Sequence, residues 1–519
     1  MDRTPDIEVN GVGAEVPGDT FISVRDGTAN DVQDMKRMGK QQQLQRNFGF
    51  LSIFGFSMIL MSTWESTLGT AAFGLGNGGT AGLIYVYLGT VVGFSLVIAS
   101  MAEMASMAPT AGGQYHWISE FAPRNSQRIL SYIIGWLCVL GWQAGTASSC
   151  FLAGTEIQGL VILNYDNYEP QRWHGTLMAI AAIALCALFN TILAKRLPVV
   201  EGVVLILHVA GFFAILIPLW ILAPRSSSKD VWTKVEDAQG WGSKGLASLV
   251  GIITPVVSLL GADAATHMSE ELKNASKTLP KAMLATALFN GSLASYSTFC
   301  YTIGDVDSVL ATPTGYPFIQ VFYNATMSKP GATAMTAIMT SLSIFCGMTN
   351  MATASRQLFA FARDNGLPFG KFFQKVPIGW DIPLNAIIFT VMVSSLLSLI
   401  NIGSTIAFNQ ITSLGLCALL SSYIVSISCI ALKRIRGEKL LPSHFRMGSL
   451  GLPINLLSIA FLVLAYVFCF FPPAPKPALD GMNWSVVIYF GVLLFSLIYF
   501  AFQGRHKYVG PVEYVRKSA

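Results

Sequence analysis

The sequence predicts an all-α integral membrane protein with twelve transmembrane helices. Three observations predict it. Only 12% of the 519 residues are charged and 53% are hydrophobic, whereas soluble globular domains carry roughly 25% charged residues. The apolar residues gather into one unbroken array of segments, most of them near the ~20 residues needed to cross a hydrocarbon core. The segments are apolar all round rather than alternating, which excludes the ~10-residue strands of a membrane barrel. Helices and closed barrels are the only folds that satisfy their backbone in lipid, so helices remain.

The segments, in order, are Phe48–Phe73, Ala81–Met107, Leu130–Ala153, Gly175–Leu193, Leu197–Leu222 and Leu246–Ser269. The second six are Met283–Ile303, Ala332–Phe359, Ala386–Ile400, Ile406–Leu432, Leu452–Phe471 and Trp484–Phe502. Residues 1–47 are polar, with few large apolar groups, and read as a disordered cytoplasmic tail. Within them Met38–Arg46 is expected to begin an amphipathic entry helix. The tail has no apolar h-region, so no cleavable signal peptide is expected. Residues 503–519 read as a short basic cytoplasmic tail. Most of the 33 Lys and Arg fall in the loops on the side of the N-terminus. The positive-inside rule therefore puts both termini in the cytoplasm. That placement accounts for the net charge of +5 without a nucleic-acid partner.

All eight cysteines lie in apolar stretches without CxxC spacing, so they read as packing residues, and no metal or other cofactor is expected. Asn324 and Asn483 open N-x-S/T sequons on loops expected outside and are candidate glycosylation sites. HExxH, GxSxG, P-loop and clustered His/Cys patterns are missing from the loops, which argues against an enzyme.

Two spans look interrupted. In the first, Ser62, Thr63, Trp64, Glu65, Ser66 and Thr67 form a polar cluster deep in an apolar helix. A carboxylate at mid-bilayer costs at least about 2.5–3.5 kcal/mol on insertion scales, so Glu65 should face the bundle interior and have a partner. The sixth span contains Pro255, Gly261 and Asp263; Pro removes a donor and Gly permits an unwound turn. These two spans lie five apart. Matching breaks in two halves, residues 48–222 and 246–432, point to an inverted-repeat transporter, with residues 452–502 as an added helix pair. His208 in the fifth span is a protonatable group near neutrality, or a packing residue bonded to a neighbouring helix. Trp142 and Gln143 in the third span either line a pathway or pack.

Three motifs then carry a resemblance. They are AEMASMAPTAGGQYHW (Ala102–Trp117), GADAATHMSEELKNASKTLP (Gly261–Pro280) and SRQLFAFARDNGLPFGKFF (Ser355–Phe373). In this order and at these spans, the chain resembles the amino acid–polyamine–organocation permease superfamily. Its nearest likeness is to the fungal amino acid/choline branch, which includes GABA and choline permeases. The resemblance implies a leucine-transporter-like fold in a plasma membrane, with spans one to five and six to ten as inverted repeats. It implies proton coupling and a substrate site between the broken spans, around Ser62–Ser66 and around Ser258, Leu259, Gly261 and Asp263. Some members carry a Lys in span five that stands in for a sodium ion; this chain has His208 near that position. Glu65 and His208 are the expected proton carriers. Glu103, Arg356, Arg363 and Asp364 are expected to form an inner gate away from substrate.

A carboxylate beside the site repels an anionic cargo group and attracts an ammonium, and a Trp face adds cation–π attraction of about 0.5–2 kcal/mol. The expected cargo is therefore cationic: choline, a polyamine or a related amine. The alternative is a neutral amino acid or GABA, with Glu65 turned away. A nutrient receptor that keeps the fold without transport is an alternative of another class.

Overall fold

The computed structural model describes residues 27–291, 294–377, 379–404, 406–508 and 510–511. The described residues are helical with irregular connections. The first half comprises α1 (Ala29–Arg37), α2 (Phe50–Met61), α3 (Thr63–Gly69), α4 (Ala71–Met107), α5 (Gln114–Phe121), α6 (Arg124–Asn164), α7 (Arg172–Asn190) and α8 (Leu197–Leu222). After α9 (Ser228–Thr233), the sixth predicted span appears as α10 (Lys244–Val250), α11 (Ile253–Leu259) and α12 (Ala264–His267). Then come α13 (Ala275–Asn290), α14 (Ala294–Thr302), α15 (Val306–Leu310), α16 (Pro317–Thr326) and α17 (Lys329–Arg363). The chain continues through α18 (Gly370–Phe373), α19 (Leu384–Ser398), α20 (Ile400–Gly403), α21 (Ala407–Ile435), α22 (Gly451–Phe468) and α23 (Ser485–Tyr499).

Among the described residues, ten helices are long and apolar enough to cross a membrane. Two of the twelve predicted spans, the first and the seventh, are not among these ten. The first is cut at Ser62, between α2 and α3. The seventh is described as α13 and α14, with residues 292–293 between them outside the described residues. Pro255, expected to break the sixth span, sits in the first turn of α11, where its missing N–H has no helical partner to lose. The break falls instead at Leu260–Asp263, where Gly261 takes φ +109°. A Cβ at Gly261 would lie 2.3 Å from Leu60 Cδ2, so both conformation and space select glycine.

The helices α6, α17 and α21 form the buried centre, with α7 and α19 against α6 and α17. Outside them, α8 packs on α2 and α17 along one stripe: Leu197, Glu201, Val204, His208, Gly211 and Ile215. Its opposite face exposes Val199, Val203, Ile206, Phe213, Ile217 and Ile221. That face suits lipid, which is as apolar as these side chains.

Residues 27–47, read above as disordered, are ordered; residues 1–26 lie outside the described residues. The amphipathic helix lies at Ala29–Arg37, not at Met38–Arg46, because Thr28 and Asp31 form a capping box there. Asp31 also accepts from the N–H groups of Asn274 (2.9 Å) and Ala275 (3.0 Å), at the start of α13. A carboxylate at a helix N-terminus completes orphan donors and opposes the dipole. Phe48 then pairs with Leu272 in a short parallel bridge. The second tail is also anchored at its start: the Tyr508 hydroxyl lies 2.6 Å from Ser131 Oγ.

Candidate functional site

Helical spacing sorts the polar cluster of the first span into separate faces. Ser62 itself is left-handed (φ 41°, ψ 48°) and ends α2 while starting α3. Past that break, residues three and four apart share a face. Ser62, Glu65 and Ser66 line one small cavity with Thr70, Ser148, Ser149, Leu152, Val257, Ser343, Cys346 and Phe408. Thr63 and Thr67 turn instead to α11. Thr63 Oγ1 donates to the Ser258 carbonyl at 2.7 Å, and Thr67 Oγ1 lies 3.2 Å from Ser258 Oγ. Thr254 Oγ1 donates to the Thr70 carbonyl at 2.8 Å. Hydroxyl–carbonyl bonds thus stitch the two interrupted spans together beside their breaks.

A second cavity of about 70 Å³ adjoins the first, of about 40 Å³. The two share Ser66, Ser148, Ser149, Val257 and Cys346. Beyond these, Trp142, Asn350 and Thr412 also line the larger one. Among the described residues, Glu65 is the one carboxylate in either wall, and no Lys or Arg belongs to either. Its Oε1 lies 2.6 Å from His208 Nδ1. Its Oε2 is buried without a hydrogen-bond partner.

Trp64 does not join this wall. Its indole packs against the His208 ring (5.9 Å between centroids) and Phe212 (6.1 Å) on α8. The wall takes Glu65 and Ser66, while Trp64 turns its ring towards α8. Ser258, Leu259 and Gly261 also lie outside both walls, with Val257 and Leu260 taking that part of α11. Asp263 turns away from the cavities altogether. It accepts from Gln114 Nε2 (2.5 Å) and from the Tyr423 hydroxyl, within the layer between α5 and α21. Below it, His267 Nδ1 lies 2.8 Å from the Ala111 carbonyl and its Nε2 accepts from Trp142 Nε1 at 3.0 Å. Gln143, by contrast, packs: its Nε2 donates to Thr390 Oγ1 at 3.0 Å.

One end of the bundle is closed by ion pairs. Arg356 Nε donates to Glu271 Oε1 at 2.9 Å. Arg363 grips both oxygens of Glu270, at 2.8 and 2.6 Å. Arg434 meets Glu103 at 2.5 Å, and Lys40 pairs with Asp364, whose other oxygen accepts from Tyr115 at 2.9 Å. Each of the four residues expected at a gate is thus ion-paired, two of them with Glu270 and Glu271 of the second motif and two with Lys40 and Arg434 outside the three motifs. Arg356 lies inside helix α17 and is fully buried. Burial pushes the Glu270 carboxyl up, but Arg363, Lys40 and Arg46 outweigh it and hold the group below its ordinary range. Burial lowers Lys40, against the opposing pull of Asp364.

The other end is open. A vestibule of about 390 Å³ is lined by Gly69, Phe73, Thr155, Gln158, Tyr316 and Asn409 among others. It shares Thr70 and Phe408 with the smaller cavity. Phe408 stacks on Phe73 (5.9 Å) and on Phe151 (6.0 Å). Three rings thus separate vestibule from cavity. Neither Phe408 nor the Ser148–Ser149 pair was singled out from sequence, since each lies in an ordinary-looking apolar span. Of the two sequons, Asn324 is half-buried at the end of α16 and accepts from Gln320 Nε2 at 2.8 Å. Asn483 is fully buried and its amide donates to Ser413 Oγ at 3.1 Å, so the folded chain cannot offer it for glycosylation.

Residues 48–495 match the amino acid permease family. The chain is 31% identical to a protein of Macrophomina phaseolina named as an amino acid/polyamine transporter, over 83% of this chain and 96% of that one. It is 27% identical to a choline transporter of Saccharomyces cerevisiae, over 90% and 83%. It is 27% identical to an amino-acid permease of Arabidopsis thaliana, over 92% and 96%.

Proposed function

Because the chain belongs to the amino acid permease family, we propose that this multi-pass membrane protein is a proton-coupled secondary transporter of a small amine-bearing solute. Its cargo is cationic, of the choline or polyamine class. The observation that carries this reading is Glu65, the one carboxylate in the central cavity walls, with Oε2 unpartnered. An ammonium group supplies the missing partner, and no basic side chain in either wall competes for it. The hydroxyls of Ser66, Ser148, Ser149 and Thr412 suit a polar cargo without adding charge. Cation–π attraction is not part of the account, since Trp64 faces α8.

The reading has twelve spans, with two five-helix halves related by inversion and both termini in the cytoplasm. In it, the ion-paired face is the inner gate and the vestibule opens outside, at the plasma membrane. Cargo enters past Phe408, and the bundle containing the two broken spans rocks to release the inner clasp. Glu65 and His208 exchange the coupling proton, which ties the charge of the cavity wall to the state of the pair. The direction of cargo movement follows the gradients.

A second reading has support of its own. His208 stands 2.6 Å from Glu65, so a protonated His208 offsets the carboxylate. The break at Ser62 also leaves the first N–H groups of α3 without helical partners. Together these favour a neutral amino acid or GABA. Uptake of labelled choline and labelled GABA by reconstituted protein separates the two. The cationic reading expects choline uptake that Glu65→Gln abolishes. GABA uptake with no response to choline or polyamines overturns it. If no gradient drives uptake of any amine or amino acid, the non-transporting receptor replaces both.

A further inference from the structure

Glu65 is not the only acid held in the dry part of the bundle. Glu156 on α6 and Glu201 on α8 are both fully buried. Neither oxygen of Glu156 has a hydrogen-bond partner, and Glu201 Oε2 has none. A buried carboxylate left without partners is costly enough to need an explanation. The surroundings of Glu156 point to one. It lies beside Ser343 and Thr340 of α17 and within electrostatic reach of Glu65 and Tyr316. The hydroxyls of Ser343, Thr340 and Thr336 are also buried and unpartnered. The Glu156 carboxyl thus stands within hydrogen-bonding reach of the Ser343 and Thr340 hydroxyls between α6 and α17, with Thr336 one turn further along α17.

Resting on the proton-coupled reading, we infer that Glu156 with Thr336, Thr340 and Ser343 is the outer loading station of a proton relay. In this relay Glu65–His208 is the middle station and Glu201 the inner one. Thr336, Thr340 and Ser343 recur at four- and three-residue spacing, so they share one face of α17. Ser343 also lines the cavity that holds Glu65. From Thr336 to Thr349 the helix rises about 20 Å, two-thirds of a hydrocarbon core. Thr349 lies on another face of α17, and its Oγ1 donates to Glu201 Oε1 at 3.0 Å, which sets the third acid against the same helix.

The transfers balance as proton hops. Glu156 gives its proton to the Ser343 hydroxyl, which releases its own to Glu65 Oε2. Glu65, now protonated on Oε2, turns its carboxyl so that this proton faces the unprotonated Nδ1 of neutral His208 and passes to it. His208 and Glu201 are seven residues apart on one stripe of α8, about 10 Å along the axis. That step needs water and belongs to the inward-open state. A relay of hydroxyls, carboxyls and an imidazole conducts protons and not sodium. The groups facing it from neighbouring helices are Tyr316 at Glu156, and Cys346 and Trp64 at the Glu65–His208 pair. At Glu201 they are Thr349 and, with its backbone, Gly55 of α2.

The full chain in proteoliposomes tests this, using whichever of labelled choline or GABA the wild type takes up. A trapped pH dye reports proton entry. Glu156→Gln and Glu201→Gln are expected to keep cargo-for-cargo exchange but to lose accumulation driven by a proton gradient and the dye response. If Glu156→Gln does not assemble, Glu156→Asp keeps the proton with a shorter reach and is expected to slow gradient-driven accumulation while sparing exchange. Unchanged gradient-driven accumulation in these variants overturns the relay and leaves Glu65–His208 coupling standing. Loss of exchange together with accumulation makes Glu156 a structural or cargo group and also overturns it. Wild-type accumulation driven by sodium and not by protons overturns the coupling reading itself.

Discussion

The two faces of the molecule handle charge in opposite ways. At the clasped face, Arg356–Glu271, Arg363–Glu270, Lys40–Asp364 and Arg434–Glu103 are all largely buried. At the vestibule face, Lys329 meets Asp166 at 2.8 Å with side chains 41% and 86% exposed. Between vestibule and cavity stand the aromatic rings around Phe408, beside Thr70. Buried pairs have lost their water and depend on each other, whereas exposed pairs trade one solvated state for another. One end is therefore locked by electrostatics and the other by movable rings. A carrier that alternates must break the costlier lock once per cycle.

That asymmetry can be broken deliberately. Arg356→Ala leaves Glu271 as a half-paired charge in a nearly dry site. Losing one partner of a buried pair destabilises by about 3–5 kcal/mol, so the melting temperature of purified protein should fall sharply. A melt unchanged from wild type would show that the clasp is not what closes this face. Lys329→Ala sits at the other extreme. Its partner Asp166 is solvent-exposed, and removing such a pair leaves the melt where it was. A large shift there would erase the contrast between the faces.

Much of this architecture was legible in the sequence. The apolar array gave the spans, since lipid leaves no other fold for such segments. Gly261 and the polar run at Ser62 located both breaks. The arrangement within the first break was legible in principle: Ser62, Glu65 and Ser66 stand at helical spacing, and so do Thr63 and Thr67. Reading the run as one site placed Trp64 in the wall, whereas its ring packs on His208 and Phe212 of α8, a direction that spacing within the run does not record. Asp263 was read as a site residue from its place near the turn, but its direction depends on Gln114 and Tyr423, far off in sequence. Glu156 escaped notice because the third span was read as ending at Ala153, while α6 runs on to Asn164. The ordered segment from Gly27 to Asn47 has polar composition, yet its order comes from tertiary caps that composition does not record.

The central claim is that cargo occupies the cavity beneath Phe408 and reaches it from the vestibule. Cys346 is the one cysteine in the walls of both cavities and serves as a native reporter. The decisive measurement is its modification by a small membrane-impermeant thiol reagent in vesicles of known orientation, read by mass spectrometry. The account predicts labelling from the vestibule side that Phe408→Ala speeds and that the transported amine slows. Labelling at equal rates from the clasped face, or labelling that no amine or amino acid slows, would contradict it.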